Sequence, residues 1–153
     1  VIPELREGRW YIPGKWHEGD LVLNECGLGH ELGPAPSAEM VAKVTAWILE
    51  NTVDAPKDPG CRARSSYGWK HLCEHQVGEW IANGAFIEAG FRLGLPVRWV
   101  DGPNVGFTSR LLCGHCRKSI PPRRAFIFRT VSTDAPRPLC RKCARALFPN
   151  CPS

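Results

Sequence analysis

The chain has 153 residues, 43% of them hydrophobic and 23% charged; this is the composition of one globular domain or two small ones, and it excludes wholesale disorder. No apolar run approaches the roughly 18 residues that cross a bilayer, and no signal-peptide pattern opens the sequence. A membrane partner is therefore not expected, and a cytoplasmic setting is (nucleoid-associated or nuclear, depending on the organism).

The net charge of +5 is unevenly spread. Residues 1–60 carry five basic and ten acidic side chains, residues 61–108 five and four, and residues 109–153 ten basic ones against Asp134 alone, a balance of +9. Such a basic end calls for a polyanion or an acidic protein surface, unless the acidic front neutralises it within one fold.

Residues 1–36 read as an irregular segment. Trp10, Tyr11 and Trp16 surround the Pro13-Gly14 turn signal, and Gly27, Gly29, Gly33, Pro34 and Pro36 break the rest, leaving a short strand at Leu21–Leu23. Residues 37–108 read as a helical domain with a hairpin. Ser37 caps a first helix to Asn51, with Glu39 in its first turn and Met40, Val41, Val44, Trp47 and Ile48 at helical spacing. A Pro/Asp-rich break follows at Asp54–Gly60. Ser65 or Ser66 caps a second helix whose apolar face is Trp69, Leu72, Cys73, Val77, Trp80 and Ile81, with Gly78 weakening its middle by about 1 kcal/mol. Asn83-Gly84 reads as a turn, Ala85–Leu93 as a third helix stopped at Gly94, and Val97–Val100 with Val105–Thr108 as a hairpin.

This element order is similar to that of winged helix-turn-helix DNA-binding domains. The resemblance implies a third helix in the major groove, offering Asn83, Glu88 and Arg92, and a wing offering Arg98, Trp99 and Asn104.

Residues 109–153 hold the strongest motif, Cys113-Gly114-His115-Cys116 and Cys140-Arg141-Lys142-Cys143, two CxxC pairs 23 residues apart. Each pair folds into a knuckle aiming two sulfurs at one centre, and two knuckles complete a tetrahedron around Zn²⁺. Disulfides would suit a secreted protein, and a redox CxxC would need a βαβ context that the pattern lacks. Between the pairs, Arg124–Val131 reads as a strand and Ser132–Pro138 as a loop; after them Ala144–Phe148 reads as a short helix.

Residues 110–148 are thus similar to treble-clef zinc modules, with a zinc ribbon as the alternative. The resemblance assigns Cys113, Cys116, Cys140 and Cys143 as ligands of a structural site, whose four thiolates leave no open position for water. His115 would support the knuckle rather than bind the metal.

Enzyme chemistry finds little footing. Zinc deaminases pair P-C-x-x-C with an upstream H-x-E. Here Leu139 separates Pro138 from Cys140, and no H-x-E occurs. A zinc-supported nuclease of the His-metal type needs a histidine after the first knuckle, and none follows Cys116. Phosphate-loop, nucleophile-elbow and zincin motifs are also missing.

Cys26 and His30 have ligand-like spacing, and Cys61, Cys73 and His75 could complete a second metal site; free thiols and surface histidines are the ordinary alternative. Cys151 reads as a bystander. Candidate contacts to nucleic acid or an acidic partner are Arg117, Lys118, Arg123, Arg124, Arg129, Arg137, Arg141 and Lys142 in the basic end, with Arg92 and Arg98 before it. Two or three cations would offset the −2 of a Zn(Cys)₄ centre, which leaves several for a partner.

The expectation is an α+β protein: a small helical domain with a winged-helix-like hairpin, followed by a treble-clef-like zinc module. Its expected function is zinc-dependent nucleic-acid binding, DNA before RNA, in a regulatory role. The alternative is a protein-interaction module, a regulator or inhibitor docking its basic module on an acidic partner.

Overall fold

A computed structural model of the chain describes residues 2–14, 19–54, 62–120, 126–128 and 137–150. The expected break from Ala55 on, Trp16, Cys61 and Cys151 lie outside the described residues, as do Arg123, Arg124 and Arg129 and most of the expected strand and loop between the cysteine pairs.

The first segment is not irregular. It forms a four-stranded antiparallel meander in chain order: β1 (Glu4–Arg6), β2 (Arg9–Ile12), β3 (Leu21–Asn24) and β4 (Gly27–Gly29). Glu7 (φ 47°) and Gly8 (φ 76°) are both left-handed between β1 and β2. This turn geometry matches the right-handed twist of paired strands. Glu-Gly is a poorer advertisement for it than Asn-Gly, so the sequence hides the hairpin. At the β3–β4 turn the Asn24 Oδ1 accepts from the Cys26 N–H (2.9 Å), a local bond that substitutes for a backbone turn.

Helix α1 (Ala38–Asn51) has the expected bounds, with the Ser37 hydroxyl accepting from the Met40 N–H and Val41, Val44, Trp47 and Ile48 buried. It runs directly into β5 (Thr52–Asp54). After β6 (Arg64–Ser65), α2 (Ser66–Val77) is capped by Ser65. Gly78 is its left-handed C-cap (φ 75°) rather than a weak point in its middle, so Trp80 and Ile81 lie beyond the helix. Trp80 is exposed there, whereas Ile81 is buried.

Asn83-Gly84 is likewise not a turn but the start of α3 (Asn83–Arg92). The Asn24 carbonyl presses against Gly84 where any Cβ would sit, so glycine is needed at this contact. β7 (Val97–Asp101) and β8 (Asn104–Phe107) form the expected hairpin, and β6 joins its other edge to give the sheet β6-β8-β7. β9 (Ser109–Leu112) continues from β8, lying between β10 (Ser119–Ile120) and β5. β11 (Phe126–Phe128) and β12 (Arg137–Leu139) pair antiparallel, and α4 (Arg141–Leu147) follows.

One apolar core unites the meander, the three helices and the hairpin, from Ile12 through Phe86 and Phe107 to Ile120. Phe86 sits at its centre, stacked on Trp69 (centroids 6.5 Å) and meeting Trp47 and Phe107 at 6.2 and 6.4 Å. Such offset and tilted ring pairs add to area burial. A second, small cluster holds Cys113, Leu139, Cys143 and Ala144.

α3, the expected recognition helix, is largely enclosed. Eight of its ten residues are buried against the neighbouring elements, because Gly84, Ala85, Ala89 and Gly90 allow close approach on several sides. Asn83 points inward, its Nδ2 donating to the Cys26 and Pro103 carbonyls. Arg92 is spent on Glu88 one turn back (2.7 Å).

Candidate metal centre

β9 delivers Cys113 to the end of the sheet, where the chain reverses through residues 114–116 and returns as β10. Two backbone bonds close this reversal: the Arg117 N–H donates to the Cys113 carbonyl, and the Cys113 N–H to the Lys118 carbonyl, both 2.9 Å. Arg117 adopts a left-handed φ of 59°, which turns the chain sharply behind Cys116. The Gly114 N–H donates to the Pro138 carbonyl (2.8 Å) and so ties the reversal to β12. Cys140 is the N-cap of α4 and Cys143 lies in its first turn. The three-residue spacing brings both side chains to one end of that helix.

The four sulfurs converge, all lying within 4.8 Å of one another. Cys116 Sγ and Cys140 Sγ are 3.8 Å apart, and the Cys140 N–H donates to Cys113 Sγ (3.4 Å). A tetrahedral ion with bonds of about 2.3 Å to sulfur needs its ligands about 3.8 Å apart. The donor set therefore fits a metal ion, for which zinc is the usual choice at four thiolates. Cys113 and Cys143 are buried, whereas Cys116 lies exposed and Cys140 half-buried at the rim.

The protein environment treats the thiols unequally. Burial opposes ionisation of Cys113, but the backbone N–H groups of Cys116, Cys140 and His115 outweigh it and bring its pKa down to about 6. Cys143 is pushed up to about 12, first by burial and then by hydrogen bonds to the neighbouring sulfurs and the charge of Cys113. Ionisation is thus favoured at Cys113 and opposed at Cys143. A coordinated cation removes that opposition, since metal-bound thiols are deprotonated outright. His115 is exposed in the reversal and is not among the clustered ligand atoms.

Around the cluster, Arg117, Lys118, Arg141 and Lys142 are exposed, as is Arg145, which the candidate set omitted. The Arg117 guanidinium reaches back to the Glu50 carbonyl at the end of α1 (2.6 Å) and fastens the reversal to the helical body. Arg137 pairs with Phe128 in the β11–β12 register. Arg98 is exposed on β7, and its Nε donates to Thr108 Oγ1 (3.2 Å).

The second candidate metal site is not assembled: among the described residues, Cys113, Cys116, Cys140 and Cys143 form the one ligand cluster. Cys26 is the tip of the β3–β4 hairpin, so its spacing to His30 is that of a turn and returning strand. Cys73 is fully buried in the main core, where burial pushes its thiol up to about 12, and His75 is exposed on α2.

A feature that motif reading missed lies on α2. Glu74 is held by Lys70 and His71 on its own helix and by the Ile81 N–H beyond it. The i,i+4 spacing of Lys70 and Glu74 was its only sequence signal.

No protein-family model, curated protein or solved structure matches the chain.

Proposed function

We propose that the four cysteines hold one structural Zn²⁺ in a treble-clef arrangement, and that the cations around it bind the phosphates of a nucleic acid, DNA before RNA, in a regulatory role. The knuckle after β9, the hairpin β11–β12 and a helix opening on the second cysteine pair support the treble-clef reading. With four sulfurs bound, the ion would have no position for water or substrate, so it would brace the fold rather than carry a reaction.

The observation that carries the nucleic-acid reading is the set of exposed cations next to the cysteines in sequence, Lys118, Arg141, Lys142 and Arg145 with Arg117, in a segment whose sequence contains one acid. The −2 of a zinc–thiolate centre is too small to require them all. Phosphate contacts of this kind give affinity and register with little sequence information.

The test is a salt titration of oligonucleotide binding by the zinc-loaded protein. Affinity is expected to fall steeply and linearly on a log–log scale, and the double variant Arg141→Ala, Lys142→Ala to weaken all sequences alike and lower the slope by about 2. Binding that ignores salt, or no binding, contradicts the proposal. One observation favours an acidic protein as partner instead: Leu147, 47% exposed, shares α4 with the cations. Capture of one stable protein without nucleic-acid binding would support that second reading.

A further inference from the structure

The outer face of the sheet β6-β8-β7 carries one large side chain. Trp99 and Ser65 both pair with Gly106, one from each side, and the three form a row across the sheet. Phe107, next along β8, and its partner Val97 are buried in the core, which turns the Trp99 row to the other face. The indole lies on Gly106: three of its atoms, Cδ2, Cε2 and Nε1, crowd the position a Cβ would take. Three near neighbours along the ring mean that its face, not its edge, covers the glycine. Trp99 is half-buried, and no ring among the described residues pairs with it. Part of the indole stays exposed to solvent.

Beside it stands a cation placed by a bulge. The register shifts between Val97 and Trp99, and the extra residue is Arg98. Its Nε donates to Thr108 Oγ1, the residue is exposed, and no carboxylate pairs with it among the described residues. Arg62, exposed just before β6, brings further positive charge to that edge, against Asp101 at the hairpin tip, whereas Arg64 shares the Phe107 row and lies against Gly68 of α2. The patch is also continuous with the zinc end: Thr108 links β8 to β9, and Cys113 follows five residues on, at most about 17 Å away.

We propose that Trp99 stacks on a base of a single-stranded nucleic acid while Arg98 binds an adjacent phosphate. This rests on the nucleic-acid reading above and extends it from phosphate contacts to base contacts. An aromatic face admits any base, and a guanidinium fork fits phosphate. The charge of the rim matches a phosphodiester strand.

The experiment measures fluorescence anisotropy of labelled strands of about 12 nucleotides, intact or with central abasic sites, on the zinc-loaded protein. DNA and RNA versions are run in parallel with duplex. Wild type is expected to bind the intact single strand about tenfold more tightly than the abasic one. Trp99→Ala loses that factor on the intact strand and nothing further on the abasic one. Trp99→Phe, which keeps a ring on Gly106, falls between, so the test does not depend on whether the alanine variant folds. Arg98→Ala weakens intact and abasic strands alike. Equal wild-type affinity for intact and abasic strands, or intact-strand binding unchanged in Trp99→Phe and Trp99→Ala, overturns this inference. If salt-dependent binding persists in that case, the phosphate reading above survives; if wild type binds no strand, both fall.

Discussion

Glu74 shows how much one side chain can carry here. Its carboxylate, 16% exposed, accepts from Lys70 Nζ (2.7 Å), His71 Nδ1 (2.6 Å) and the Ile81 N–H (3.0 Å). Burial by itself would raise its pKa, but these donors outweigh burial and hold it below the ordinary 4.5. Because the folded value is depressed, its stabilisation is complete above the unfolded value and disappears as pH falls from about 4.5 through the folded one. Glu74→Gln should cost about 2–3 kcal/mol at neutral pH, since it strands the Lys70 ammonium, only 6% exposed, without a counter-charge. Urea midpoints at unchanged m-value read this out, and the gap between wild type and variant should close as pH falls from about 4.5 through the folded value. A constant gap across that range would assign the loss to packing instead. Gly78 makes a similar point about the backbone: Gly78→Ala is expected to cost about 1 kcal/mol, because the helix ends there at a φ of 75°.

The elements divide by how they announce themselves. α1 was legible to the residue, because a serine cap and five apolar positions at helical spacing agree with one another. The hairpin β7–β8 was equally plain from its Asp-Gly-Pro-Asn turn. The β1–β2 hairpin was not, since Glu7 at positive φ is a conformation that composition does not forecast. The ends of α2 and α3 were misread for a related reason. Gly78 could weaken a helix or close it, and Asn83-Gly84 could turn the chain or open a helix; local sequence alone does not choose between them. For Gly84 the deciding contact is the Asn24 carbonyl, 60 residues away in sequence. The metal centre was legible because two CxxC pairs encode a local geometry, whereas the Trp99 platform needs the pairing of two strands. Phe86 on α3 tests how central that helix is. Phe86→Ala should cost about 3–5 kcal/mol, seen as a lower denaturation midpoint. A loss under 1 kcal/mol would mean that α3 is not the keystone of the core.

At the scale of the whole molecule, a large apolar core and a small sulfur-rich one sit in series along the chain. Among the described residues the small one holds Cys113, Leu139, Cys143 and Ala144, and an ion bound there would add its binding free energy to that of folding. Chelation is therefore expected to raise amide exchange across residues 113–120 and 137–150 while α1 to α3 keep their protection, as hydrogen-exchange mass spectrometry would record. Metal would also alter the charge balance: four thiolates and a Zn²⁺ would bring the basic end from +9 to about +7. That remains ample for a polyanion, and the acidic front stands apart from it in the sequence. Everything assigned to the basic end depends on the ion being present. Native mass spectrometry of the purified chain, before and after a strong chelator, tests this most directly. The account predicts one zinc per chain, lost to the chelator and absent from Cys113→Ser. A mass with no metal, or zinc retained in full by Cys113→Ser, would contradict it.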